Sequence, residues 1–189
     1  AGSSESWRED FDSFQSDVLG EPLDGWAGER WLDIRAQNVV DVVTARLDQA
    51  TTKGCDAVEP DNVDGYANDS GFALSASDQL AFNRYLANAA HTRGVGVLLK
   101  NDTDQVAELV DYFDGGLVEE CHLYDECDAY APFTAASKPI FNAEYAASAQ
   151  AAATLASTVC PAARGASLRT LILPLELDDS FRLDCDDGW

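Results

Sequence analysis

Short apolar runs alternate with amphipathic helical patterns along this chain, and run after run ends in acidic or amide side chains. Residues 55–60 lead into Asp61 and Asn62, Val95–Leu99 into Lys100 and Asn101, Gly116–Val118 into Glu119 and Glu120, and Ile140–Ala143 into Glu144 and Tyr145. No hairpin signal separates these runs, so helices must return each strand to its neighbour, the pattern of parallel β/α units. Polar groups at the downstream end of strand after strand favour an α/β fold of the (β/α)8 TIM-barrel kind, whose sites lie at that end. Neither a G-x-G-x-x-G turn nor a Walker loop is present to support an open nucleotide-binding sheet. About six units can be counted against eight in a complete barrel. The expectation is therefore a single barrel domain over residues 1–189 that is N-terminally incomplete.

Taken in order, Ala1–Glu5 reads as a turn, and Trp7, Phe11, Phe14 and Val18 share one face of a helix over 7–18. Gly20–Glu29 is expected as loop and Arg30–Ile34 as a short strand. Val39, Val43, Leu47 and Ala50 lie at helical spacing in a helix over 37–53, stopped by Gly54. Ser75 and Asp78 form a capping box for a helix that runs to Arg93 and halts at Gly94. A further helix is expected from Asp102–Thr103 through Phe113, an Ala-rich one over 146–159, and a last strand over 168–175.

Residues 55–66 carry the densest signal. In a strand over 55–60, alternation puts Ala57, Glu59 and Asp61 on one face, with Val58 turned toward a covering helix. Acids at the end of a buried strand are costly unless they are hydrogen-bonded or serve a purpose. The plain alternative is an acidic loop that follows a strand.

A net charge of −22, with 12 Lys and Arg against 34 Asp and Glu, makes nucleic acid a poor partner. No apolar run reaches the roughly 18 residues of a membrane span. The acidity fits a surface adapted to high salt, or a field that attracts a polycationic substrate. Five cysteines stand at 55, 121, 127, 160 and 185. The expected arrangement is disulfides 121–127 and 160–185 with Cys55 buried and free, which implies an oxidising compartment. Zinc is the rival, without a C-x-x-C pair or ligand spacing at His91 and His122. Calcium loops of EF-hand type fail, since counting back from Gly65, Gly71 or Gly188 puts Pro60, Tyr66 or Leu183 in the first ligand position.

A series of motifs in fixed order resembles the glycoside hydrolases that act as endo-α-1,4-polygalactosaminidases, built on a TIM barrel. It runs from Gly28-Glu29 and Trp31-Leu32-Asp33-Ile34 through Lys53-Gly54-Cys55-Asp56 and Val58-Glu59-Pro60-Asp61-Asn62. It continues with Gly71-Phe72, Ala90-His91, Leu99-Lys100-Asn101, Glu119-x-Cys121, Tyr124-x-Glu126-Cys127 and Glu144-Tyr145. The resemblance implies that Ala1–Glu5 follows the family's third strand. It also implies an extracellular, monomeric enzyme that needs no cofactor or metal and acts on a cationic amino-sugar polysaccharide. One departure is Glu120, where the family tends to carry Gln; a second carboxylate beside a catalytic one raises its pKa where the two interact.

Cleaving a glycosidic bond takes an acid for the leaving oxygen and a carboxylate that serves as nucleophile or base. The resemblance points to Asp61 for the second role and Glu119 for the first. Glu59 reads as a hydrogen-bonded support rather than a catalyst and, with Glu120 and Glu144, as a substrate-binding candidate able to pair with a sugar ammonium. Asn62, Asn101, Glu120, Glu144 and Tyr145 are candidates for sugar hydroxyl or amine contacts, and Tyr66 and Tyr124 for stacking on a sugar face. Lys100 has the chemistry of a Schiff-base lysine, but nothing else supports that reaction. Asn68-Asp69-Ser70 and Asn101-Asp102-Thr103 fit the glycosylation sequon. The competing readings are a carbohydrate-binding barrel without activity and an acidic scaffold for a cationic partner.

Overall fold

The structure, a computed structural model, describes residues 1–186. The chain divides into two compact units, the first spanning Ala1–Phe113 and the second beginning at Asp114.

In the first unit, β1 (Ser3–Glu5), β2 (Leu19–Pro22) and β3 (Glu29–Leu32) form an antiparallel sheet in the order β1-β3-β2. Ala1–Glu5 was expected to turn; instead its edge pairs with β3, Ser3 opposite Trp31. The helix expected over 7–18 is replaced by two 3-10 turns, Phe11–Ser13 and Ser16–Val18, and Trp7 is exposed. Asp and Ser are dense there and compete with the helical backbone for hydrogen bonds.

The parallel part opens with α1 (Gln37–Lys53), β4 (Ala57–Val58), α2 (Ala76–Thr92), β5 (Gly96–Lys100) and a short α3 (Val106–Leu109). α1 keeps its expected bounds and buries Val39, Val42, Val43 and Leu47, and Gly54 closes it with a left-handed φ of 77°. The capping box predicted for α2 is formed, with Asp78 N donating to Ser75 Oγ and Ser75 N to Asp78 Oδ2. β4 pairs parallel with β5, Ala57 opposite Gly96, but it is two residues long rather than the six expected. Cys55 therefore falls in the turn after α1. It is free, as expected, but exposed rather than buried. The helix expected through Phe113 is broken into the 3-10 turn Thr103–Gln105 and α3, because Asn101 and Asp102 leave β5 with positive φ.

The second unit comprises β6 (Gly115–Glu119), α4 (Ala131–Ala135), β7 (Ile140–Tyr145), α5 (Ala149–Gly165), β8 (Leu168–Leu173) and β9 (Leu183–Asp184). β6, β7 and β8 are parallel, with Glu119 opposite Ala143 and Ile140 opposite Leu168. β9 was not foreseen and pairs antiparallel with β8. Both expected disulfides are formed, Cys121–Cys127 and Cys160–Cys185. The second joins α5 to the strand beside β8 in a cluster with Ala152, Val159 and Ile172.

An α/β fold with parallel strands is thus present, and the strand pairings among the described residues do not close a ring. No helix among the described residues is long and apolar enough to cross a membrane.

Candidate active site

The exit of β4 carries two carboxylates that meet one buried lysine. Lys100 Nζ lies 2.9 Å from Asp61 Oδ1 and 3.2 Å from Glu59 Oε1. Parallel register produces the meeting: Ala57 faces Gly96, so Glu59, Asp61 and Lys100 follow on the same side of their strands. The backbone around the pair is tightly held. Gly2 N donates to Asp61 O at 3.1 Å, and a Cβ at Gly2 would stand 1.8 Å from Asn62 O, so only glycine allows this approach. Asn62 N donates to Asp61 Oδ1, and Asn62 Nδ2 to Ser3 Oγ at 2.8 Å.

These surroundings divide the two acids. Burial pushes the Asp61 carboxyl up, but the Lys100 charge and hydrogen bond, with the Asn62 N–H, more than offset it, and its pKa lies below the ordinary value. Burial also drives Glu59 up; Lys100 opposes it, the Asp61 charge adds to it, and Glu59 stays raised. Asp61 is thus built to stay ionised. Glu59 is its half-buried neighbour on the same cation.

Asn62 and Asn101 open on a cavity of about 530 Å³ that also touches Asp24, Trp26, Asp64 and Lys100. Glu59 and Asp61 border a separate cavity of about 440 Å³. The Tyr66 hydroxyl is hydrogen-bonded to Asp102. Burial first, then the Asp102 charge, pushes its pKa up to about 12. Asp102 itself is driven to about 7 by burial and then by the charge of Asp64, against hydrogen bonds from Tyr66 and Asn83.

In the second unit, the Tyr145 hydroxyl donates to Glu119 Oε1. Glu119 lies opposite Ala143 in register, so Glu119 and Tyr145 share one face of the sheet and Glu144 belongs to the other. Glu144 is 2% exposed and its Oε1 accepts from His122 N at 3.0 Å and Asn142 Nδ2 at 3.1 Å. Glu120, in the left-handed region at φ 54°, borders a cavity of about 430 Å³ with His122, Glu144 and Tyr145. Burial, then the charges of Glu144 and Glu119, raises the Glu120 pKa. Tyr124 is exposed on the loop closed by Cys121–Cys127. Cys121, His122 and Cys127 cluster as metal ligands would, but the two sulfurs are bonded to each other and offer no thiolate.

Sequence reasoning set Lys100 aside, although its position at the end of the strand beside Asp61 was the available signal. It also passed over Gln79 and Asn83, polar residues one turn apart on the buried face of α2.

The chain matches the profile of glycoside-hydrolase family GH114 over residues 1–189. It belongs to that family. The GH114 chain is therefore a glycoside hydrolase, and the resemblance drawn from its motifs holds. Its structure is similar to that of Aspergillus fumigatus Ega3 in complex with galactosamine, with TM-score 0.90 and 39% identity over 97% of this chain and 75% of that one. The glycoside hydrolase domain of PelA from Pseudomonas aeruginosa shares the fold, with TM-score 0.66 at 14% identity over 94% of this chain and 76% of that one. Among curated proteins, none matches the chain significantly.

Proposed function

We propose that this GH114 enzyme cleaves α-1,4-linked galactosamine-containing polysaccharide internally, with Asp61 as nucleophile or base and Glu119 as general acid. The observation that carries the reading is the Lys100–Asp61 pair at 2.9 Å, which keeps a strand-end carboxylate ionised as a nucleophile or base requires. The Tyr145 hydroxyl on Glu119 supports a positioned partner acid. Asn62, Asn101 and Tyr124 are assigned to sugar contacts. Glu59 and Glu144 are assigned to support of Lys100 and of the His122 loop respectively. The repeated β/α units favour a (β/α)8 frame as one domain.

For the substrate, the support is the galactosamine bound in the Ega3 crystal together with a net charge of −22 on this chain. A cationic polymer is attracted by such a field. The two disulfides fit work outside the cell. The deciding experiment compares cleavage of polygalactosamine with that of its fully acetylated counterpart over a range of salt. The cationic polymer should be preferred, and Asp61→Asn and Glu119→Gln should each lose activity. Equal or faster cleavage of the acetylated polymer would overturn the substrate reading. Full activity in either variant would overturn the catalytic one.

A further inference from the structure

Asn83 sits on the buried face of α2 with none of its surface exposed, and both its amide nitrogen and its amide oxygen are hydrogen-bonded. Its Nδ2 donates to Val63 O at 3.0 Å and to Asp102 Oδ2 at 2.9 Å, while its Oδ1 accepts from Gln79 Nε2 at 2.9 Å. Val63 lies two residues beyond Asp61, and Asp102 two residues beyond Lys100. One amide thus grips both segments that leave β4 and β5. These segments hold the two ends of the Lys100–Asp61 pair. Both turn through the left-handed region, with φ of 56° at Asn62, 47° at Asn101 and 53° at Asp102. Such conformations persist only where the surroundings hold them.

We propose that Asn83 is a positioning residue: by tying Val63 and Asp102 to a single helix, it holds the Lys100 ammonium against the Asp61 carboxylate. The two loop acceptors, Val63 O and Asp102 Oδ2, require a group with two hydrogens to give. Gln79 supplies the orientation, because its donor occupies Asn83 Oδ1 and leaves only the NH2 for the loops. Asp61 is faced in addition by Glu59, Glu29, Asp64 and the Ala1 ammonium. Its charged state therefore depends on keeping one lysine close among several acids.

The inference rests on the reading of Asp61 as a catalytic carboxylate, and the test separates the two. In the full chain, Asn83→Asp keeps the shape of the side chain and removes both donors. Pairing it with Asp102→Asn restores a donor–acceptor link to the β5 exit. Gln79→Leu, which frees the amide to rotate, serves as a second variant should the first not fold. Titration of Asp61 followed by carbon NMR and steady-state rates on polygalactosamine are read on each. The single variants should raise the Asp61 midpoint and lower kcat by about 100-fold, the scale of an ångström misplacement, with KM changing far less. The paired exchange should recover part of both. A folded single variant whose Asp61 midpoint stays at the wild-type value overturns the proposal, whether kcat is kept or falls only in step with a lowered Tm. If Asp61→Asn retains full activity, the catalytic reading fails, and the NMR midpoint still decides whether Asn83 holds the pair.

Discussion

Asp61 and Glu59 hang from one strand exit and share a cation, yet their pKa values move in opposite directions. Lys100 decides the division, so its removal is diagnostic. Lys100→Met leaves two acids facing each other and removes the largest opposition to burial, and the Asp61 pKa must rise. The acidic limb of the kcat/KM profile should move up by about one pH unit or more, and an unmoved limb would rule Asp61 out as its source. Asp102 gives a second pH signature. Its folded pKa of about 7 lies above the unfolded value near 3.9, so the native state holds the extra proton between those limits. The Asp102 contribution to stability is then full below about pH 4 and is lost, by roughly 2–4 kcal/mol, as pH rises through 7. Asp102→Asn should flatten that fall in unfolding curves taken from pH 4 to 8. At this scale the acids were legible because strand ends announce them. Lys100 was visible as a strand-end residue, but its pairing with Asp61 was not, and Asn83 was not visible at all. These roles come from register and from a helix crossing two loops, neither of which is local in sequence.

The helices and strands divide by how local their causes are. α2 was legible to within a residue because Ser75, Asp78 and Gly94 specify both of its ends within a turn. The stretch 7–18 misleads because its aromatics do fall at helical spacing. In the fold, Phe14 instead lies under Arg46, whose guanidinium is 5.5 Å from the ring and ion-pairs with Asp10 at 2.7 Å. That long-range anchor is invisible to periodicity. The disulfides were legible from their bracketing of strand ends, and they should differ in weight. Cys160–Cys185 closes a 25-residue separation, so exchanging both for Ser should cost about 3.5 kcal/mol in urea unfolding. Cys121–Cys127 closes only 6 and should cost about 2 kcal/mol. Because it ties down the loop that follows Glu119, its loss should lower kcat proportionally more than that of the longer bridge. Equal effects of the two on kcat would separate that loop from the chemistry.

Across the whole molecule, 34 acids against 12 bases make self-repulsion the dominant long-range term. Salt screens it over about 8 Å at physiological strength, so Tm should rise as sodium chloride is added. A Tm that falls with salt would show that ion pairs such as Arg46–Asp10 outweigh the repulsion. The α/β class and the parallel units were legible at this scale from the alternation of runs. Of the antiparallel sheet only β3 was, as the short strand expected over 30–34; β1 and β2 were not, because they are short and lack alternating apolar residues. A last consequence concerns how this chain would respond to selection for heat tolerance. Residues in the left-handed region stand at the exits of β4, β5 and β6, namely Asn62, Asn101, Asp102 and Glu120. Each costs on the order of 1 kcal/mol that glycine would not. Survivors of a thermal screen would therefore carry glycines at these strand exits, Glu120→Gly first. They would be sturdier and slower, since tension and aim are supplied there by the same few residues.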